Sequence, residues 1–278
     1  MRLPEYLKRP IIDTDKTKNV RRILKDNGLN TVCENARCPN KNECYTKNTA
    51  TFLIMGNVCT RNCRYCNISC AKPEPLDASE PVNIAKAVRD LGLDYAVITS
   101  VTRDDLPDGG AEHFAQCIRE IKKLTPEVKI EILTPDFKGD TRALDVIITA
   151  QPHVFNHNIE TAEDLFETVR PQARYQRSLD VLRYVKKSGL ITKSGLMAGL
   201  GETFGQIELT LRDLHDTGCD IVTVGQYIQP SKNHHEVAKY YTPEEFGKLR
   251  TLADEIGIKH HQIGPLVRSS YKAAELIC

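Results

Sequence analysis

The sequence lacks the features that mark several classes of protein. Its 278 residues carry 38 Lys and Arg against 37 Asp and Glu, so the net charge is +1 and no field of one sign indicates a polyanionic partner. No apolar run approaches the ~20 residues of a membrane span, and the opening MRLPEYLKRPIID carries charges and prolines where a secretory signal peptide needs an apolar core. We therefore expect a cytoplasmic protein that binds neither nucleic acid nor a membrane.

Nucleotide-binding signatures are also missing. No G-x-G-x-x-G follows a predicted strand, and no P-loop is present. A dinucleotide-binding fold is therefore not expected. The sequence also has no 20–50 residue repeat and no low-complexity tract, so a repeat architecture is not expected.

Cysteine is abundant by contrast, with ten residues. In a reducing compartment a disulfide framework is not expected, and clustered cysteines usually bind metal or take part in catalysis. Cys117 and Cys219 lie in helical patterns among apolar neighbours, so we predict ordinary core residues there. Nothing is inferred from the terminal Cys278. Seven cysteines remain, all between residues 33 and 70.

From Ala50 onwards short apolar strands alternate with amphipathic helices, a pattern typical of a parallel sheet with crossover helices. The predicted strands cover 51–57, 94–101, 128–134, 153–159, 193–200 and 220–227, with a weaker candidate at 258–264. The predicted helices cover 82–92, 111–124, 141–150, 175–189, 204–218 and 242–257. Either a (β/α) barrel or an open doubly wound sheet fits, and both place active sites at the carboxyl ends of the strands.

Three cysteines directly follow the first of these strands, in the spacing Cys59-x3-Cys63-x2-Cys66. Convergent thiolates suit a soft cation or an iron–sulfur cluster. A cubane held by three cysteines keeps one iron free to bind something else. The alternative is a structural zinc site with Cys70 as the fourth ligand.

This motif, placed after a first strand and ahead of a run of β/α units, resembles the radical S-adenosylmethionine (SAM) superfamily. Tyr65, just before the third cysteine, is similar to the aromatic residue that the superfamily usually has at this position. The resemblance implies a partial (β/α)6 barrel of the TIM type. It also implies a 4Fe–4S cluster on Cys59, Cys63 and Cys66, whose free iron binds SAM and whose electron splits it into a 5′-deoxyadenosyl radical.

A second set, Cys33-x4-Cys38-x5-Cys44, lies in a polar loop rich in Asn and Pro, and predicts a second cluster; loop cysteines without metal are the alternative. At the other end of the chain stands Arg268-Ser269-Ser270-Tyr271. Taken alone, serine pairs before a helix are usually N-caps.

The two cysteine sets and RSSY together resemble the lipoyl synthase family, and the likeness extends over nearly the whole chain. Further similar segments are TRDDLPDGGAEHF (102–114), HNIET (157–161), KSGLMAGLGET (193–203), GQYIQPS (225–231) and YYTPEEF (240–246). One mild departure is Ile228, where the family more often has Leu. The resemblance implies an auxiliary 4Fe–4S cluster on Cys33, Cys38 and Cys44, with Ser270 as its oxygen ligand and a catalytic residue.

The implied activity is a sulfurtransferase reaction that inserts two sulfur atoms, drawn from the sacrificed auxiliary cluster, at carbons six and eight of an octanoyl chain. That chain is linked to a lysine of a lipoyl carrier, either the glycine-cleavage H protein or a lipoyl domain of a 2-oxoacid dehydrogenase. Both C–H bonds are unactivated, so they must be broken homolytically, which calls for a cofactor radical. A low-potential donor such as ferredoxin or flavodoxin and an iron–sulfur carrier protein are the other expected partners.

Candidate SAM contacts follow the strands. Asp108 and Gly109, with Gly110, would approach the amino group, although a plain βα turn is the alternative. Asn158 and Glu160 would bind the ribose hydroxyls, or only cap a helix. Arg174 or Arg177 would pair with the carboxylate, unless it is a surface arginine. The remaining candidates are Gly199, Gly201 and Glu202 for the adenine side, and His234 and His235 as substrate-rim or structural residues.

We expect three parts: an extension over residues 1–49 with the auxiliary ligands, a barrel over 50–262, and a C-terminal extension over 263–278. Two competing functions remain open. A methylthiotransferase-like or biotin-synthase-like sulfur inserter would place its extra ligands differently and lack RSSY. An iron–sulfur electron carrier would bury a fully ligated cluster in a small fold.

Overall fold

The computed structural model describes residues 2–10, 12 and 14–277, so Cys278 lies outside the described part. Two compact units are present. The first unit comprises residues 9–61 and 68–155. The second unit comprises residues 62–67 and the chain from Asn156 onwards, together with residues before Arg9.

The first unit contains a parallel sheet flanked by helices. In chain order its elements are α1 (Asp15–Asp26), β1 (Asn30–Thr31), α2 (Val32–Asn35), α3 (Lys41–Thr46), β2 (Thr51–Ile54), β3 (Val58–Cys59), β4 (Ser69–Cys70), α4 (Glu80–Leu91), β5 (Tyr95–Ser100), α5 (Ala111–Leu124), β6 (Lys129–Leu133) and α6 (Thr141–Ala150). Strand β2 pairs in parallel with β5, and β5 with β6, while β1 is antiparallel to β2. Strands β3 and β4 form a separate small parallel pair.

The second unit repeats the β/α alternation. Strand β7 (Val154–Asn156) leads into it, followed by α7 (Phe166–Val169), α8 (Tyr175–Lys186), β8 (Ile191–Ala198), α9 (Phe204–Asp216), β9 (Ile221–Gln226), α10 (Pro243–Ile256) and β10 (His260–Gly264). Strand β9 pairs in parallel with both β8 and β10. Four short 3₁₀ helices, two of them at the ends of the chain, complete the described residues at Glu5–Leu7, Phe137–Gly139, Glu163–Leu165 and Ala273–Leu276.

Local sequence explains these elements. Every residue of β9 is buried, as expected for a strand that helices cover. Helix α10 begins with a reciprocal capping box between Thr242 and Glu245 and ends at Gly257, whose φ of 95° is left-handed. The predicted strands and helices are thus confirmed to within a few residues at their ends. Cys117 and Cys219 are buried core residues, also as predicted.

The N-terminal region is more ordered than the sequence indicated. The sequence before residue 50 shows little periodicity apart from a helical stretch near residues 18–27, and α1 covers that stretch. The cysteine-rich stretch, however, forms two further short helices, α2 and α3, which begin at Thr31 and Asn40 as N-caps. Helices this short span too few turns to show a hydrophobic period in the sequence. Their stability comes from packing on the unit.

Candidate active site

The three cysteines of the second predicted cluster are brought together within the first unit. Cys33 lies on α2, Cys38 in the turn after it, and Cys44 on α3. The Cys38 N–H donates to the Cys33 carbonyl over 3.2 Å, so the chain between them is a closed turn. The side chain of Thr31 accepts the Glu34 N–H over 3.3 Å and fixes the start of α2.

The three thiols are close enough to affect one another's pKa. Burial raises the pKa of Cys33 to about 12 and that of Cys44 to about 11, and the nearby Cys38 adds to both. Opposing the rise, the Thr51 N–H donates to the sulfur of Cys33, and Thr49 donates to that of Cys44. Neighbouring thiols with hydrogen-bond donors on their sulfurs fit an iron–sulfur cluster, whose iron displaces the protons when it binds.

Cys59 of the other set lies at the end of β3, in the first unit. Two backbone N–H groups donate to its sulfur: that of Arg61 over 3.4 Å and that of Thr102 over 3.3 Å. The side chain of Arg61 is buried against Asp104 and Asp136. Backbone N–H groups that donate to sulfur suit a cysteine ligand of an iron–sulfur cluster, whose properties depend on such hydrogen bonds.

Cys63 and Cys66 lie in the second unit, in one turn closed by the Cys66 N–H on the Cys63 carbonyl over 3.1 Å. His234 Nε2 donates to the Cys66 carbonyl over 3.0 Å, and the His235 N–H donates to the Arg64 carbonyl over 2.8 Å. Because a carbonyl only accepts, Nε2 of His234 carries the proton, and its Nδ1 accepts from Ser231 over 2.8 Å. The two histidines are structural residues that hold the cysteine turn.

Three of the sequence motifs meet at Glu160 in the second unit. Tyr65 of the cysteine turn donates to the Glu160 carboxylate, Asn158 Nδ2 donates to it over 3.2 Å, and both Arg170 and Arg268 attract it. Burial raises the pKa of Glu160, and these four partners oppose that rise. Burial and the adjacent carboxylate raise the pKa of Tyr65 well above its usual value, so its phenol stays protonated and remains a donor.

Arg170 was not predicted from the sequence. Its guanidinium is buried, donates to the carbonyls of Asn158 and Ile159 over 3.0 and 3.2 Å, and lies over the ring of Phe166. The predicted Arg174 is instead exposed, at the N-cap position of α8. One signal in the sequence could have indicated Arg170: it lies closer along the chain to HNIET than Arg174 does. Arg174 immediately precedes a predicted helix.

The RSSY segment lies against the strand ends of the second unit. Asn158 Nδ2 donates to Ser269 Oγ over 3.3 Å, and the Tyr271 N–H closes a turn on the Arg268 carbonyl over 2.9 Å. The short helix that follows has Lys272, not a serine, at its N-cap, with no side-chain cap. Ser270 is half-buried in this turn. The N-cap interpretation of the serine pair is therefore wrong.

The remaining candidates build turns. Asp108 accepts the Gly110 N–H on one carboxylate oxygen and the Glu112 N–H on the other, at 2.9 and 2.8 Å, so it holds the turn that leads into α5, whose N-cap is Gly110. Gly109 has a left-handed φ of 63°. In the second unit, Glu202 accepts the backbone N–H groups of Gly199 and Leu200. Whether any of these residues contacts SAM stays a prediction.

Two features are absent from the described residues. No helix among residues 2–10, 12 and 14–277 is long and apolar enough to cross a membrane. Nor do three Cys, His, Asp or Glu side chains in that part of the chain surround a point where one metal ion would sit. A 4Fe–4S cluster does not require such a point, because each cysteine binds a different iron.

Comparison with known proteins gives the family. The sequence model of the radical SAM superfamily matches residues 53–214, which is more than half of the chain. A protein of Caldicellulosiruptor bescii named lipoyl synthase is 53% identical over 275 residues, covering 98% of this chain and 94% of the relative. Lipoyl synthases of Rubrobacter xylanophilus and Xanthomonas campestris are 51% and 49% identical, again over 98% of the chain, and this chain covers 85% and 82% of them.

The chain belongs to the lipoyl synthase family. This confirms the resemblance drawn from the two cysteine sets and RSSY, and with it the enzyme class, a sulfurtransferase of the radical SAM superfamily that uses SAM and 4Fe–4S clusters. The alternative of an electron carrier is wrong.

Solved structures confirm the fold class. Methylornithine synthase matches with a TM-score of 0.59 at 15% identity, over 88% of this chain and 74% of that one. Coproporphyrinogen III oxidase of Escherichia coli matches with a TM-score of 0.56 at 12% identity, over 80% and 56%. At such identities the likeness concerns the fold alone, which is the partial barrel of the radical SAM type that the family resemblance implied; the strand and helix alternation by itself had left an open doubly wound sheet as the alternative.

Proposed function

We propose that this chain converts a protein-bound octanoyl-lysine to the lipoyl group by inserting two sulfur atoms, at carbons six and eight. The observation that carries the proposal is the meeting of motifs at Glu160. Tyr65 of the SAM-cluster turn, Asn158 of HNIET and Arg268 of RSSY all interact with this one carboxylate. A segment needed for radical generation and a segment proposed to hold the sulfur source are thus linked in the second unit.

The proposed ligands follow the sequence. Cys59, Cys63 and Cys66 hold the cluster that binds SAM. The set that holds the auxiliary cluster is Cys33, Cys38, Cys44 and Ser270. The bound groups supply the radical that removes hydrogen from each carbon and the sulfur that replaces it. Ser270 would hold the auxiliary cluster through an alkoxide oxygen, which is a harder ligand than thiolate.

The protein's own residues bind and orient. Asp108 and Gly109 are proposed on the amino group of SAM, Arg174 on its carboxylate, and Asn158 and Glu160 on its ribose. The Asn158 amide and the Glu160 carboxylate already face each other over 3.2 Å, so a diol that binds both would insert into an existing hydrogen-bonded pair. Residues 1–49 and 263–278 are proposed as extensions of a barrel over 50–262.

The proposed partners are octanoylated carriers, namely the glycine-cleavage H protein and the lipoyl domains of 2-oxoacid dehydrogenases. A low-potential donor such as ferredoxin or flavodoxin would supply electrons, and an iron–sulfur carrier protein would restore the auxiliary cluster. A cytoplasmic location suits these partners.

Mass spectrometry of an octanoylated carrier tests the function, after anaerobic incubation with reduced, reconstituted protein and SAM. We expect the carrier to gain two sulfur atoms and the protein to hold about eight irons per chain. Ser270→Ala should lose sulfur insertion, with Ser269→Ala as the matched control. A carrier without added sulfur, or a Ser270→Ala variant with full turnover and both clusters intact, would contradict the proposal.

A further inference from the structure

Arg61 stands between two cysteines of the SAM-cluster motif, yet its side chain points into the first unit and only 4% of the residue is exposed. Its Nε and Nη2 donate to the two carboxylate oxygens of Asp104 over 2.7 and 2.9 Å, which is a bidentate pair. Nη2 also donates to Asp136 over 2.7 Å. Asp104 follows β5 and Asp136 follows β6, so one guanidinium ties the cysteine loop to the ends of two neighbouring strands.

The charges of this cluster balance. Lys138 lies 4.0 Å from the Asp104 carboxylate and donates from Nζ to the Asp104 carbonyl over 3.1 Å. Asp136, fully buried, also accepts the Lys138 N–H over 3.1 Å. Two cations therefore face two carboxylates. The contacts of Arg61 thus link the loop between Cys59 and Cys63 to the segments that follow β5 and β6.

A second set of contacts joins the same two loops. The Thr60 N–H and Oγ1 both donate to the Thr102 carbonyl, over 3.0 and 2.9 Å, and Oγ1 accepts the Asp104 N–H over 3.0 Å. Thr102 is the residue whose N–H donates to Cys59 Sγ over 3.3 Å. The clamp of Arg61 on Asp104 and the Thr60 contacts thus hold the loop that carries a donor for the Cys59 sulfur.

We propose that Arg61 is a positioning residue that keeps the Thr102 N–H on the sulfur of Cys59 and thereby makes the SAM cluster easier to reduce. This rests on the proposed role of Cys59 as a cluster ligand. N–H groups present the positive ends of their dipoles to sulfur, which stabilises the more negative, reduced cluster. A looser loop would lengthen the N–H···S hydrogen bond and lower the reduction potential.

The test compares two substitutions that keep the charge. Lysine at position 61 has one ammonium and cannot form the fork to Asp104 while also reaching Asp136. Arg64→Lys is the matched control, because Arg64 lies in the same motif but is exposed. Full-length reconstituted variants are titrated with a reductant and followed by electron paramagnetic resonance. The SAM cluster is identified as the one whose signal changes when SAM is added.

We expect Arg61→Lys to lower the reduced-to-oxidised ratio of the SAM cluster about tenfold at a fixed potential, which is about 59 mV for one electron. The auxiliary cluster should not shift, and Arg64→Lys should match the wild type. An unshifted SAM cluster in Arg61→Lys, or an equal shift of both clusters, overturns the inference. Should Arg61→Lys not hold the SAM cluster, Thr60→Val and Thr60→Ser decide.

The two Thr60 variants test the position of the Thr102 N–H while Arg61 is left in place. Thr60→Val removes both hydroxyl contacts to the Thr102–Asp104 segment and should lower the reduction potential of the SAM cluster. Thr60→Ser keeps the hydroxyl and should show the wild-type potential. Equal potentials in the two variants overturn the inference. If the wild type holds no SAM cluster, the proposed function fails instead, which separates the two conclusions.

Discussion

Gly225 in β9 has no room for a side chain. A Cβ built there would lie 2.0 Å from the carbonyl oxygen and 2.9 Å from the carbonyl carbon of Val267, the residue that precedes Arg268 and the two serines. Real Cβ contacts stay beyond 3.0 Å, so Gly225→Ala must displace that backbone by roughly 1 Å or more. The neighbour is main chain and not the end of a flexible side chain, which makes the displacement costly.

We expect Gly225→Ala to destabilise the protein by about 1–3 kcal/mol, the usual cost of overpacking. For chains of this size, each 1 kcal/mol lowers the melting temperature by about 2–4 °C. The shift also moves Ser270 away from its proposed ligand position. The variant should therefore lose the auxiliary cluster while it still cleaves SAM, so 5′-deoxyadenosine forms without sulfur insertion.

The assays are thermal melting, iron content, and the ratio of 5′-deoxyadenosine to sulfur inserted. Gly205→Ala is the matched control, because Gly205 lies on α9 with nothing within 4 Å of the added Cβ. Alanine there should leave stability unchanged or raise it by less than the helix-interior value of about 0.5–1 kcal/mol, because Gly205 lies in the first turn of α9. Wild-type melting and wild-type coupling in Gly225→Ala would refute the reasoning.

Three further predictions concern other parts of the chain. The raised pKa values of about 12 for Cys33 and about 11 for Cys44 exceed the ~8.5 of an unfolded thiol, so the metal-free protein is most stable below that pH. It should lose at most about 2 kcal/mol per thiol by about pH 10 in urea unfolding, and the double serine variant should show a flatter profile. His113→Leu removes the ring Nε2 that lies 2.7 Å from the buried Glu80 carboxylate, to which the Met55 N–H still donates, and should cost about 1–3 kcal/mol in the same assay; an unchanged midpoint would contradict this. Ser269→Ala should cost about 1 kcal/mol or less and keep about eight irons per chain, and loss of four would show that this serine, too, supports the cluster.

The β/α alternation could be predicted because it depends on local patterns. Strands such as β2 and β9 are short, buried and rich in apolar residues, and helices such as α10 carry their own caps. The two-residue strands β3 and β4 could not be predicted, since they exist only as a pair that joins Cys59 to Cys70. Likewise α2 and α3 could not be predicted, because their stability depends on packing against residues outside their own short segments.

The cysteine sets and RSSY could be found because their chemistry needs fixed residue types at fixed spacing. The residues that support them could not. Arg61 and Arg170 look like surface arginines in the sequence, yet both are buried because carboxylates or carbonyls from distant segments reach them. Contacts to partners between 11 and 75 residues away leave no periodic trace in the sequence, so only the folded chain shows them.

The histidine pair behind the cysteine turn has a consequence for how iron is handled. His234 and His235 each commit the Nε2 proton to a carbonyl, that of Cys66 and that of Leu200. A nitrogen that carries a proton has no lone pair to offer a metal. Neither Nε2 is therefore available as an iron ligand while it holds its carbonyl, so both rings support the backbone around the cysteine turn and leave iron binding to the thiols.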